Sequence, residues 1–171
     1  MEFMELAKKR FAVRKFSEKK VPEDVLGKII EAGMAAPTAK NNQPQRIYVL
    51  QGKENQEKLD RLTKCRYGAP TVLVFTYNTD EEWKNPLEEG IHSGVEDVSI
   101  VATHMMLMAA ELGVDTIWVN FFANSELEKT FDIPDNECSV LIMPMGYREE
   151  GTEPAPTHEV SKKIEEIVKC L

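Results

Sequence analysis

The chain has 171 residues, 42% hydrophobic and 29% charged, which is the length of one domain over 1–171 with enough apolar content for a sizeable core. Its formal net charge of −8 argues against a nucleic-acid surface, and no run of about 18 apolar residues exists to span a membrane. Three widely spaced cysteines (Cys65, Cys138, Cys170) without a C-x-x-C pair point away from a disulfide or zinc framework and toward a reducing, cytoplasmic setting, and no signal peptide is expected at the start of the chain.

Residues 2–10 read as a short helix with Phe3, Leu6 and Ala7 on one side. Arg10 and Arg14 follow. Four residues apart, they share a face whether the backbone is helical or extended, so two guanidiniums can converge on one anion. Two solvated surface arginines are the alternative. A helix opens at Pro22-Glu23-Asp24, where proline and acids in the first turn suit the macrodipole, and Val25, Leu26, Ile29, Ile30, Gly33 and Met34 form its apolar stripe. It ends before Pro37.

Pro37-Thr38-Ala39-Lys40-Asn41-Asn42-Gln43-Pro44 is a polar loop between prolines. Thr38, Asn41, Asn42 and Gln43 both donate and accept hydrogen bonds, which suits a ligand edge of alternating donors and acceptors. A solvated helix-ending turn is the alternative. Residues 46–50 form a strand, 53–64 an amphipathic helix, and 71–76 a continuous apolar run that reads as a central strand covered on both faces.

Residues 78–90 are an acidic, exposed excursion containing Trp83. Residues 91–112 form the longest helix, apolar almost all round and therefore buried on several sides, in a core or at a subunit interface. His92 and His104 lack metal-ligand spacing. Gly113 closes that helix, and residues 116–122 read as a strand. Ser125 caps a short helix to 131, and 138–143 is a buried strand running into Pro144-Met145-Gly146-Tyr147, where Gly146 permits close backbone approach. An extended arm over 148–158 leads to a terminal amphipathic helix over 159–169. G-x-S-x-G, the P-loop and G-x-G-x-x-G are absent, and no catalytic side chain is assigned.

Several of these blocks resemble one family. APTAKNNQPQ resembles the APS-x-x-N-x-QP-W loop of the FMN-dependent nitroreductases, and Arg10-Phe11-Ala12-Val13-Arg14-Lys15-Phe16 resembles their opening RRS-x-R-x-F. AAELGVDTIWVN and the Gly146-Tyr147 strand end also resemble that family's pattern, so the likeness covers nearly the whole chain. It implies an α+β fold, with a mostly antiparallel central sheet between layers of helices, assembled as an intertwined homodimer. Helix–strand alternation alone suggests a doubly wound parallel sheet instead.

The resemblance also implies FMN as cofactor, NAD(P)H as electron donor, and a small-molecule electron acceptor such as a nitroaromatic or quinone, reduced by a ping-pong mechanism. It places Arg10, Phe11, Ala12 and Arg14 by the phosphate and pyrimidine end of FMN. It brings Pro37, Thr38, Ala39, Asn41 and Gln43 from the other subunit, and sets Asn120, Met145 and Gly146 beside the ring. The chain departs from the family at Phe11, where a basic residue is usual, at Ala12 for serine, and at Phe121 for glycine. Thr157, His158 and Glu159 stand where a basic pair commonly reaches the phosphate, which leaves that group to Arg10 and Arg14 alone or to Lys162 or Lys163. A non-catalytic flavin carrier or regulator on the same fold is the other reading.

Overall fold

The protein is described over residues 2–171 by a computed structural model. In chain order its elements are α1 (Phe3–Lys9), α2 (Glu23–Met34), β1 (Gln45–Gln51), α3 (Lys53–Leu62), β2 (Thr71–Asn78), α4 (Gly94–Glu111), β3 (Asp115–Thr116), α5 (Asn124–Thr130), β4 (Glu137–Gly146) and α6 (Ile164–Ile167), with 3-10 turns at Ala39–Asn41 and Pro156–Glu159. Among the described residues, no helix is long and apolar enough to cross a membrane.

The sheet runs β1-β2-β4-β3, and every pair is antiparallel. This is the α+β architecture that the resemblance implies, and it corrects the doubly wound parallel arrangement that alternation alone suggests. Alternation reports the order of elements and says nothing of strand direction.

As expected for its apolar run, β2 is buried on both faces. Leu73, Phe75 and Tyr77 face one cluster with Leu26 and Ile29 of α2 and Val98, Val101, Ala102, Met105 and Ala109 of α4. Val72 and Val74 face the other, with Leu59 of α3, Leu127 of α5 and the N-terminal Phe11, Val13 and Phe16. The sheet therefore lies between two helical layers. α2 and α4 approach closely because Gly33 has no side chain: a Cβ there would sit 2.7 Å from Met105 Cγ and Sδ.

Four element boundaries differ from expectation. The strand expected over 116–122 pairs regularly only at Asp115–Thr116, with a further bridge at Val119 to Ile142. Between them Ile117 donates to the Pro144 carbonyl at 3.1 Å, but Pro144 has no N–H to return. The long helix starts at Gly94 rather than 91, because His92 bridges back to Lys84 in the excursion. Its outer face is not covered within the protomer: Val95 and Ile100 are exposed.

Ser125 does not cap α5, which begins at Asn124 after Ala123 without a side-chain cap. Asn124 instead donates to the Ser139 carbonyl at 2.6 Å. The terminal helix expected over 159–169 shrinks to Ile164–Ile167. Val160, Ile164, Ile167 and Val168 are all exposed, so the apolar stripe has no core in its own chain to stabilise it.

Candidate functional site

The polar loop holds three of the five described non-glycine residues with positive φ. α2 stops at Met34, and Pro37 cannot continue it. Lys40, Asn41 and Gln43 then take left-handed φ values of 52°, 57° and 53°. Such a backbone costs a non-glycine residue roughly 1–3 kcal/mol and persists only where surroundings over-determine it.

The surroundings are identifiable. Asn41 and Asn42 donate their backbone N–H groups to the Thr38 and Ala39 carbonyls at 2.9 and 3.1 Å. The Gln43 N–H donates to Thr38 Oγ1 at 3.1 Å. Asn42 Nδ2 donates to the Glu81 carbonyl at 3.0 Å, and Arg46 Nη2 lies 2.8 Å from both Glu81 carboxylate oxygens. From below, the Ala39 N–H donates to Asp97 Oδ1 at 2.7 Å. The result is a rigid rim from which Pro37, Asn41 and Gln43 project into solvent, with Thr38 and Ala39 half-buried.

The arginine segment is extended and lies along the far edge of the sheet. Ala12 bridges Thr116 in parallel, Val13 donates to the Thr116 carbonyl at 3.2 Å, and Phe16 donates to the Tyr67 carbonyl at 3.2 Å. Alternation buries Phe11 and Val13 and turns Arg10, Ala12 and Arg14 outward, so the two arginines share a face as their spacing predicts. They open onto separate cavities. Arg10 lines one of about 100 Å³ with Lys9 and Arg148. Arg14 lines one of about 260 Å³ with Ala12, Lys15 and Thr152.

Among the described residues neither Arg10 nor Arg14 is ion-paired to a carboxylate. Tyr67, near Arg14, donates to Cys65 Sγ at 3.3 Å; that bond and burial push its phenol up, while Arg14 pulls the other way.

Phe11, where a cation was the family expectation, forms the floor of this edge. The Arg148 guanidinium lies 4.7 Å over its ring and is itself 3.2 Å from Asp115 Oδ2. The His158 ring meets Phe11 edge-on at 6.0 Å, with Nε2 3.0 Å from the Lys8 carbonyl. Lys162 and Lys163 are exposed, and the Lys163 N–H donates to Glu166 Oε1 at 3.0 Å at the start of α6. Arg148 is an edge residue that sequence reasoning missed, because only folding brings it to Phe11, and His158, noted in the sequence only as a departure from a basic pair, meets the same ring.

Asn120 sits where β4 is irregular. The β2–β4 register slips between Phe75 and Thr76, whose partners are Leu141 and Ser139, leaving Val140 as the extra residue of a bulge. Asn120 Nδ2 donates to the Val140 carbonyl at 2.7 Å, and Asn120 Oδ1 accepts from Trp118 Nε1 at 2.6 Å. Most of the side chain is thus engaged inside the protein. The backbone N–H groups of Asn120 and Phe121 have no partner among the described residues. Thr63 Oγ1 donates to the Phe121 carbonyl at 2.7 Å and fixes that turn, leaving the Phe121 side chain 77% exposed.

Met145 and Gly146 are buried where β4 pairs with β3. The close approach that Gly146 permits is to the protein's own Pro70 and Phe16: a Cβ would lie 3.0 Å from Pro70 Cδ and 3.4 Å from Phe16 Cδ1.

The loop and Arg10 occupy opposite ends of α4. The loop is fastened to Asp97 near the start of the helix, whereas the Arg10 cavity is lined by Ala110, Gly113 and Val114 at its end. Thirteen residue steps, from 97 to 110, separate them by about 20 Å along the axis.

A model of the nitroreductase family matches residues 7–66 and 64–147. The chain belongs to the nitroreductase family. Among solved structures of the family, a nitroreductase family protein of Clostridium difficile 630 is 36% identical, covers 99% of this chain and 98% of its own, and superposes with a TM-score of 0.92. Among curated relatives, an NADH dehydrogenase/NAD(P)H nitroreductase of Methanothermobacter thermautotrophicus is 26% identical over 160 residues, 88% of this chain and 80% of that protein. An NADPH-dependent oxidoreductase of Staphylococcus aureus strain USA300 is 28% identical over 157 residues, and this chain spans only 62% of its length. Family membership together with these names supports an oxidoreductase.

Proposed function

We propose that this nitroreductase-family chain is an FMN-dependent oxidoreductase that uses NAD(P)H to reduce a small electrophile, such as a nitroaromatic or a quinone, by a ping-pong mechanism at one open site. The observation that carries the reading is the division of α4: a rigid rim of neutral amides at one end, and Arg10, without a carboxylate partner among the described residues, at the other.

The donor set suits FMN. Its phosphate needs cations, which Arg10 and Arg14 offer from the same side of the segment although their cavities are separate. Its ring edge needs alternating donors and acceptors, which Thr38, Asn41 and Gln43 offer, while Pro37 and Ala39 supply apolar contact. Asn120 contributes its free backbone N–H, and Phe11, Met145 and Gly146 act from beneath through packing. FMN, when bound, would supply the hydride-transfer chemistry that no side chain here performs. The chain's own task is to bind, orient and exclude water, and the guanidiniums would stabilise negative charge that grows at the pyrimidine end.

The separation along α4 favours a homodimer in which each site takes its arginines from one protomer and its loop from the other. The exposed apolar residues Val95 and Ile100 of α4, and Val160, Ile164, Ile167 and Val168 of the arm, are the surface such an interface would cover. Each protomer is read as one domain. The three cysteines, all free, suit a reducing cytoplasm.

The test is the spectrum of the purified protein, with any flavin identified after heat release, followed by NAD(P)H oxidation with a quinone acceptor. One FMN per chain and acceptor-stimulated turnover are expected. A colourless protein that takes up no added FMN refutes the reading, and bound FMN without turnover moves it to the carrier alternative.

A further inference from the structure

Asp97 is the only carboxylate among the buried residues of the α4 face that packs into the core, which is otherwise Val98, Val101, Ala102, Met105 and Ala109. It is 2% exposed. A carboxylate buried to that degree is costly unless its oxygens are satisfied. Both are. Oδ1 accepts the Ala39 N–H at 2.7 Å, and Oδ2 accepts the Ser93 hydroxyl at 2.7 Å. Its place in the first turns of α4 sets it against the positive end of the helix macrodipole.

Ser93 is equally buried, at 3% exposure, and its Oγ also accepts the Trp83 N–H at 3.2 Å. A hydrogen-bonded line therefore runs from the excursion through Ser93 and Asp97 to the loop. It ends on the N–H of the residue immediately before Lys40 and Asn41, whose backbones are left-handed without being glycine. The other tethers of that stretch come from exposed side chains or from within the loop itself.

We propose that Asp97 is the positioning residue of the loop: its buried carboxylate, oriented by Ser93, holds Ala39 so that Thr38, Asn41 and Gln43 stay aimed as a preformed rim. Asp97 touches no ligand. It acts by lowering the ordering cost that the loop would otherwise meet on binding. As far as the rim's ligand is concerned, this inference rests on the FMN reading above; as far as loop order is concerned, it stands on the geometry alone.

The experiment compares wild type, Asp97→Ala, Asp97→Asn and Ser93→Ala as full-length proteins. Amide hydrogen exchange across 38–43 is measured without FMN, and the FMN dissociation constant is measured by fluorescence quenching. In Asp97→Ala, loop amides are expected to exchange about tenfold faster or more, with amides of β2 and β4 unchanged, and FMN binding is expected to weaken by about tenfold. Asp97→Asn keeps an acceptor for the Ala39 N–H and is expected to recover most of both losses. Ser93→Ala, which leaves that acceptor but frees its orientation, is expected to fall between.

Loop exchange and FMN affinity both within about twofold of wild type in Asp97→Ala would overturn the proposal. So would an Asn variant as impaired as the Ala variant. If Asp97→Ala does not fold, Asp97→Asn and Ser93→Ala decide the matter through loop exchange: unchanged rates in Ser93→Ala overturn it. If wild type binds no FMN, the flavin reading fails by itself, and the exchange ratios still decide whether Asp97 orders the loop.

Discussion

The loop at 37–43 and the arm at 160–171 are opposite solutions to presenting a surface. The loop carries neutral polar side chains on a strained backbone, held by hydrogen bonds within the loop at Thr38 and by bonds from Ala39 to Asp97 and from Asn42 to Glu81. The arm carries Val160, Ile164, Ile167 and Val168 with exposures of 74%, 68%, 66% and 52%, and buries none of them. The loop's order is determined within one chain. The arm's apolar stripe has no cover within its own chain. A ligand-binding rim gains from being rigid before the ligand arrives, whereas an assembly arm gains from leaving its apolar area available.

The comparison breaks first at the arm. Replacing both Ile164 and Ile167 by Asp is expected to weaken self-association by about a hundredfold or more, seen by sedimentation, because two apolar anchors are lost. The melting of the isolated protomer should hardly change. A large loss of protomer stability would mean the arm packs on its own chain.

The loop should behave in the reverse way. Asn41→Ile, which places a β-branched residue at φ 57°, is expected to cost about 1–3 kcal/mol in denaturant unfolding without altering self-association. The platform beneath the loop is tested by Gly33→Ala. Its new Cβ would meet Met105 at 2.7 Å, and the expected loss is again about 1–3 kcal/mol, toward the lower part if the methionine can swing aside.

Arg46→Ala removes the Glu81 tether, but that pair is roughly two-fifths exposed on each side. Its expected cost is therefore about 0.2–1 kcal/mol, diminishing in high salt.

A last effect, confined to alkaline pH, lies in the middle of β1. Burial, with help from Glu137, whose carboxylate accepts the Tyr48 hydroxyl at 2.8 Å, pushes the Tyr48 phenol up to about 12 from its ordinary 10. A raised folded value means that the folded state keeps its proton longer than the unfolded chain. The stability is fully present below pH 10 and is lost as pH rises toward 12. Thermal melts of Tyr48→Phe should lack that alkaline decline, and an identical pH profile in the two proteins would rule the assignment out.

Much of the site was readable where chemistry is local. The prolines, amides and threonine of 37–44 sit side by side, and the even spacing of Arg10 and Arg14 places them on one face in either a helix or a strand. The double burial of β2 followed from its unbroken apolar run. What escaped was set by distant partners. The resemblance sets Asn120 beside the ring, but the partners of its side chain, the Val140 carbonyl in the bulge and Trp118, are not legible in the sequence. The sequence marks Gly146 as a point of close backbone approach but not that Pro70 is what approaches its side-chain position. Asp97 passed as an ordinary acid of a helix's first turn, because nothing in the sequence says which N–H it will meet.

By itself, then, the order of residues determined the apolar stripes, the breaks at proline and glycine, and the polar loop with its arginine counterpart, since each depends on neighbours a few positions away. The antiparallel direction of the sheet, the placing of loop and Arg10 at opposite ends of α4, the Arg148–Phe11–His158 cluster and the unsupported arm were decided only by tertiary structure. Each of these depends on which distant surfaces meet, and a one-dimensional pattern carries no direction or distance between them.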